Sequence, residues 1–470
     1  MAAMSELPDL SQLSHEQKDA LIVALFAQVQ ALAAKVTALE GRLALNSKNS
    51  SKPPSSDGLH KPQPKSLRKK GERPSGGQKG HPGQTLKQVE APDIVITHAP
   101  PAQCDACQQT LGAATVVETR QVFDLPPLRF EVTEHQVLQA HCRCGKTCRG
   151  EFPAAITAPV QYGPVALAAV VHLTHQHMLP IARTAALMGD LFGLGMSEAT
   201  VLAAHEQARE RLEPSVAAIG HALQATAVVH ADETGMRAQG KLRWMHVLTS
   251  KTLTWMACHE KRGRAAFEAL GILPVFKGTL VHDGWRPYRG PDCLHALCNA
   301  HHLRELTYIF EQLNEPWAGQ MIELLASACA EVAATGELLP GARINALRTR
   351  YSDLLSEGDR LNPRASPTGK RGRTKQSKAA NLIDRLRHYA DDVWRFATDR
   401  DVPFTNNLAE QAIRMPKVKQ KISGGFRTNN GADTFCVIRS YLATLHKQGA
   451  NVFHALILTF KGTPLQPCLG

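Results

Sequence analysis

The chain has 470 residues, enough for two to four domains at roughly 100 to 200 residues each. With 43% hydrophobic residues and a net charge of +12 it reads as a basic folded protein, neither disordered nor fibrous. Its longest apolar runs, near Pro164–Leu173 and Val452–Phe460, fall far short of the roughly 20 residues a membrane span needs, which excludes a transmembrane protein.

The first residues lack the basic start, apolar middle and small-residue cleavage site of a signal peptide, and 11 cysteines cannot all pair. A reducing cytoplasm is therefore the expected setting. Ile22, Leu25, Val29, Leu32, Val36, Leu39 and Leu43 are spaced alternately three and four apart, an unbroken heptad seam. This predicts a coiled-coil helix over 1–45 and at least a dimer; an amphipathic helix packed on its own domain is the alternative. The positive charge then concentrates. Asn46–Lys87 carries ten basic residues against two acids, and Pro363–Lys378 carries six and no acid, so the rest of the chain is slightly negative. Both segments are rich in Pro, Gly and Ser, and cationic arms of this kind suit a polyanion. The first arm, including Lys69, Lys70, Arg73 and Lys79, fills most of an expected basic linker at 46–92.

Short alternating segments at Arg120–Leu125 and Phe130–Leu138 predict small antiparallel strands inside a domain at 93–152. That domain carries Cys104-x2-Cys107 and, after 34 intervening residues, Cys142-x-Cys144. Two such knuckles can place four thiolates around structural Zn2+, with Cys148 or His141 as possible substitutes for one ligand. A domain this small and poor in large apolar residues needs such a staple. An Ala/Leu-rich helical region at 160–223 follows. Within it a helix over Pro180–Leu191, a turn at Phe192–Met196 and a second helix from Ser197 suggest a helix-turn-helix, for which a plain helical hairpin is equally economical.

From Ala225 the texture is that of an α/β sheet, with strands expected at Ala227–Ala231, Arg243–Thr249, Leu253–His259, Gly278–His282 and Cys293–Cys298. Helices are expected at Arg264–Leu270, His301–Leu313, across Glu315–Arg360 and at Asn381–Phe396, with more from 426 to 470. Three acids stand out: Asp232 directly after the first strand, Asp283 after the fourth, and Glu410 in a helix start with Asn407 as N-cap. Strand ends are where an α/β sheet places its chemistry, and acids held there can share divalent metal. Glu410 could equally be the partner in a capping box.

The order Asp232, Asp283, Glu410 resembles the Asp-Asp-Glu triad of transposases with a ribonuclease H-like core. The phrases Asn49-Ser50-Ser51-Lys52-Pro53-Pro54-Ser55-Ser56-Asp57, Gly76-Gly77-Gln78-Lys79-Gly80-His81-Pro82-Gly83, His230-Ala231-Asp232-Glu233-Thr234 and Asn406-Asn407-x2-Glu410-x2-Ile413-Arg414 are similar to transposases of the bacterial insertion sequence 66 family, over essentially the whole chain. The resemblance implies a multidomain α/β protein with a ribonuclease H-like catalytic core at 224–425, interrupted by a helical insertion at about 300–400. It implies two Mg2+ (or Mn2+) ions held by Asp232, Asp283 and Glu410, with structural Zn2+ in the zinc-ribbon-like domain. The implied partners are double-stranded DNA, a homodimer or higher oligomer and accessory proteins of the same element, at the nucleoid and away from membrane. Arg414 and Lys417 share a helix face with Glu410 and are candidates for binding phosphate, as are Lys370, Arg371 and Arg373, which look like a minor-groove arginine hook with Thr374 at the usual proline position. Cys298-x2-His301 resembles a Cys/Asp-x2-His motif of such transposases, and its capacity for metal is open. A non-catalytic zinc-containing DNA-binding regulator and a related nuclease without strand transfer are the competing readings.

Overall fold

The computed structural model describes residues 13–50, 86–126, 128–366 and 374–470. They form two compact units. The larger takes in the N-terminal helix, Ala158–Thr184 and Ser197–Gly470; the smaller takes in the described residues of 86–157 together with Ala185–Met196.

In the larger unit, α1 (His15–Leu43) begins at a capping box: Ser14 Oγ accepts from the Gln17 N–H at 3.2 Å, and Gln17 Oε1 accepts from the Ser14 N–H at 2.9 Å. Beyond its end, Asn49 Nδ2 donates to the Ala44 carbonyl at 2.9 Å. The heptad residues from Ile22 to Leu43 all lie exposed along α1. Among the described residues of the smaller unit, the ladder between named strands is one hairpin, β1 (Gln139–His141) against β2 (Thr147–Arg149). Arg120–Leu125 and Phe130–Leu138, expected as strands, carry no strand assignment. Most of their apolar positions stay in solvent, with Val122 at 90% and Val132 at 88% exposure, and Phe130 and Val137 are only half-buried, so alternation there has no core to face.

After α2 (Pro164–Val171) comes one π-turn, His172–Gln176, and then α3 (Ile181–Phe192) and α4 (Glu198–Ala225). Ser197 caps α4, accepting the Thr200 N–H at 3.0 Å. The two helices and the turn expected here are present. However, α4 runs 28 residues and buries a continuous stripe from Val201 to Leu223, so one whole face is committed to the core.

A mixed five-stranded sheet, in the order β5-β4-β3-β6-β7, forms the centre. β3 (Val228–Ala238), β4 (Lys241–Thr249) and β5 (Thr254–His259) make an antiparallel meander. β6 (Thr279–His282) and β7 (Leu294–Leu297) run parallel to β3, reached through α5 (Arg264–Leu270). Helices α6 (Asn299–Leu313), α7 (Pro316–Thr335), α8 (Gly341–Leu361), α9 (Lys378–His388) and α10 (Ala390–Thr398) build a separate helical core around Trp317 and Trp394. The helical stretch expected across Glu315–Arg360 is divided at Gly336, whose φ of +64° ends α7 in the left-handed conformation.

Helices α11 (Asn407–Ser423), α12 (Asn429–Lys447) and α13 (Val452–Phe460) complete the chain. One face of the sheet packs Val229, Ala231 and Leu248 with Ile219, Leu223 and Phe267. The other packs Met236, Met245 and Val247 against Ile413 of α11 and Phe435 of α12. The edge strand β5 does not expose its outer donors: the Thr254 and Met256 N–H groups are bound by Thr444 Oγ1 (3.0 Å) and Ser440 Oγ (2.8 Å), one turn apart on α12. Among the described residues no helix is long and apolar enough to cross a membrane.

Candidate active site and zinc-binding segment

Strand alternation sends adjacent residues of β3 to opposite sides of the sheet. Even-numbered residues from His230 to Ala238 face α11 and α12, and odd-numbered Val229, Ala231 and Glu233 face the side holding Phe267 and Tyr288. Asp232 was expected at the strand's end, but β3 continues to Ala238. What ends just before Asp232 is the parallel pairing with β6, whose last pair is His230 with Val281. The antiparallel partner β4 sustains the strand beyond that point while β6 diverges, so Asp232 stands where the sheet opens.

Asp283 lies directly after β6, its Oδ1 accepting the Trp285 N–H at 2.8 Å across Gly284, which takes φ +89°. Glu410 lies in the first turn of α11. The helix cap is Asn406, not Asn407, and it makes no side-chain cap bond; Glu410 is therefore one position deeper than the capping-box reading requires. Asn406 is instead tied into the core. Its Oδ1 accepts from His230 Nδ1 at 2.9 Å, its Nδ2 donates to the Ala231 carbonyl at 2.8 Å, and its N–H points at Cys298 Sγ at 3.2 Å. Burial pushes the His230 imidazole down to about 4, so it is neutral and carries its proton on Nδ1.

Asp283 and Glu410 lie near enough to Asp232 for their charges to act on it, but among the described residues the three do not gather into one group of metal-ligand oxygens. The Asp232 carboxyl is pushed up to about 8 by burial first, then by the negative charge of Glu233, and further by Asp283 and Glu410. One N–H bond, from Glu233 to Asp232 Oδ1 at 2.8 Å, works against that rise. Such uncompensated negative charge fits a hard divalent cation. Lys417 reaches back from α11 to the Gly235 carbonyl at 3.4 Å; burial holds its ammonium below the usual lysine range, and the nearby Asp232 works against that fall. Arg414 is exposed on the same helix. Lys69, Lys70, Arg73 and Lys79 of the first basic arm, and Lys370, Arg371 and Arg373 of the second, lie outside the described residues.

Glu233, unnoticed in the sequence, is buried with its charge compensated. Arg262 donates to its Oε1 from Nε at 2.8 Å and Nη2 at 2.6 Å, and the Tyr288 hydroxyl donates to Oε2. The guanidinium sits over the rings of Trp285 (4.1 Å) and Trp244 (4.7 Å). A charged residue at an inward strand position needs a partner, and that was the available signal. Cys298, at the N-cap of α6, His301 and Glu410 each offer a donor atom, all within 4.8 Å of one another.

In the smaller unit each cysteine pair sits on a tight turn. The Cys104 N–H bonds the Gln109 carbonyl at 2.9 Å, and the Cys142 N–H bonds the Lys146 carbonyl at 2.8 Å. N–H groups of Cys107 and Ala106 lower the Cys104 thiol, and the N–H of Cys144 lowers that of Cys142, as suits thiolate ligands. Among the described residues the two pairs are not drawn together into one donor group.

A mixed α/β unit holding three candidate acids, in a chain that also carries a segment of paired cysteines, defines a DNA-processing enzyme once the comparisons are added. A model described as "Transposase IS66 family" matches residues 159–434, and one described as "zinc-finger binding domain of transposase IS66" matches 101–145. The chain belongs to the IS66 transposase family. It carries the family's zinc-binding segment, whose matched span includes Cys104, Cys107, Cys142 and Cys144 and stops short of Cys148. Residues 5–87 match a family of unknown function (DUF6444). No curated protein matches.

Proposed function

We propose that this protein cuts and joins the DNA at the ends of its own element by metal-dependent phosphoryl transfer, with Asp232, Asp283 and Glu410 as the metal-holding acids of a ribonuclease H-like core. The observation that carries the reading is the raised Asp232 carboxyl. Asp283, in the loop after β6, and Glu410, on α11, add their negative charge to that of Glu233 at Asp232, beside the opening of the sheet. Two Mg2+ (or Mn2+) ions, when bound, supply charge neutralisation for the attacking and leaving oxygens.

The chain's own residues do the rest. Asn406 fixes the start of α11 against β3 and so sets where Glu410 stands. The Trp285 N–H orients Asp283. Lys417 and Arg414 bind phosphates of the scissile strand beside the acids, and the basic residues of the two arms hold flanking double-stranded DNA. Cys104, Cys107, Cys142 and Cys144 are the zinc ligands, and the exposed seam of α1 pairs two or more copies.

The test is Mg2+-dependent cleavage and joining of terminal-repeat DNA. Asp232→Ala, Asp283→Ala and Glu410→Ala should each lower the rate by at least about 1,000-fold, while DNA binding persists. Full cleavage by all three folded variants defeats the triad; binding without any cleavage by the unaltered protein favours the regulator reading, and cleavage without joining the nuclease reading.

A further inference from the structure

Cys298 is fully buried at the N-cap of α6, and the Asn406 N–H points at its sulfur from 3.2 Å. Burial pushes the Cys298 thiol up to about 11 against the pull of the Asn406 N–H, so the sulfur keeps its proton until a cation displaces it. Three residues on, in the first turn of the same helix, His301 projects to the same side. Its Nδ1 is buried with no hydrogen-bond partner in the protein, an imidazole whose bonding is incomplete without a further group. Glu410 arrives from α11, with Oε1 at 3.9 Å from Cys298 Sγ. The three donor atoms lie within 4.8 Å of one another.

We infer that Cys298, His301 and Glu410 form a site for a soft divalent cation, Zn2+, separate from the zinc-binding segment. The donor set of one sulfur, one nitrogen and one oxygen suits Zn2+ and not Mg2+. Tetrahedral ligands of Zn2+ stand roughly 3.3 to 3.8 Å apart, so closing by about 1 Å seats the ion and leaves a fourth position open. A thiolate and a carboxylate around the dication give a neutral centre, which removes the cost of burying isolated charge. Glu410 is shared, so zinc at this site withdraws one acid from the magnesium-binding cluster and inhibits cleavage. That consequence rests on the proposed triad; the binding itself does not.

The experiment measures bound zinc and the thiolate-to-cobalt charge-transfer band after Co2+ substitution, on the full chain without DNA or Mg2+. In a Cys104→Ser/Cys107→Ser background, one equivalent should remain at this site after subtracting any held by Cys142 and Cys144, which a third substitution, Cys142→Ser, removes. Adding Cys298→Ala should abolish that equivalent and its charge-transfer band. His301→Ala should weaken it at least about 10-fold while leaving the thermal unfolding midpoint near its original value. Unchanged zinc content in Cys298→Ala overturns the site. Should Cys298→Ala fail to fold, His301→Ala decides: weakened zinc supports the site and undiminished zinc overturns it. Because no DNA is cut, either result is independent of the cleavage test.

Discussion

Asp232 and Glu233 are adjacent carboxylates on one strand, and the two sides of the sheet treat them oppositely. Glu233 enters a closed arrangement in which a guanidinium stacked on two indoles, and one phenol, take up both oxygens. Asp232 meets burial and three other acids, with a single backbone N–H in its favour. The sheet thus has a side where a buried carboxylate is paired and a side where one is left with little to pair it. Burial raises both carboxyls, and the lesson is that they differ in their partners: a guanidinium and a phenol hold Glu233, and one backbone N–H holds Asp232.

Removing the compensated carboxylate should do the greater damage to the fold. Glu233→Ala leaves the Tyr288 hydroxyl buried and Arg262 without its ion partner, and should cost about 3 kcal/mol in urea unfolding, at the low end for a buried pair because the guanidinium is partly exposed. A loss under about 1 kcal/mol means the network contributes little.

Asn406→Ala tests the connection across to the acid side. It removes the partners of His230 Nδ1 and the Ala231 carbonyl and should destabilise by about 2 kcal/mol. If Asn406 positions Glu410, cleavage falls further than the loss of folded protein explains, and excess Mg2+ partly restores it.

Asp232→Asn should act in the opposite direction on stability. A carboxyl raised from 3.8 to about 8 binds its proton more tightly in the folded state, so its favourable contribution is complete below about pH 4 and is lost as pH rises to about 8. In metal-free buffer, Asp232→Asn should therefore gain on the unaltered protein across that window, by about 1 kcal/mol or more at pH 8. A difference that does not vary with pH removes the crowding argument.

How much of this was legible varies with the distance over which the cause acts. The five central strands were placed within a few residues, except that β3 runs on to Ala238, because inward apolar runs and alternation are local patterns. The continuation of β3 depends on its pairing with β4 and on Phe426, whose N–H bonds the Arg237 carbonyl at 2.8 Å across a contact that Gly425 permits: a Cβ there would lie 2.5 Å from that oxygen. The alternation around Val122 and Val132 misled for the converse reason, since a strand pattern without a surface to cover makes no ladder.

The candidate acids were found from order and neighbouring residues, while Arg262 and Tyr288 were not, as nothing near them in the chain names Glu233 as their partner. By itself the sequence determined the concentration of charge in two arms, the cysteine knuckles, the helix seam and the succession of strands and helices, all set by composition and short-range spacing. The tertiary structure alone decided which face of β3 each carboxylate occupies, that Asn406 binds the core instead of capping its helix, and that Cys298 and His301 meet Glu410. Those outcomes depend on groups more than a hundred residues apart converging on one opening in a sheet, and burial there sets their charge.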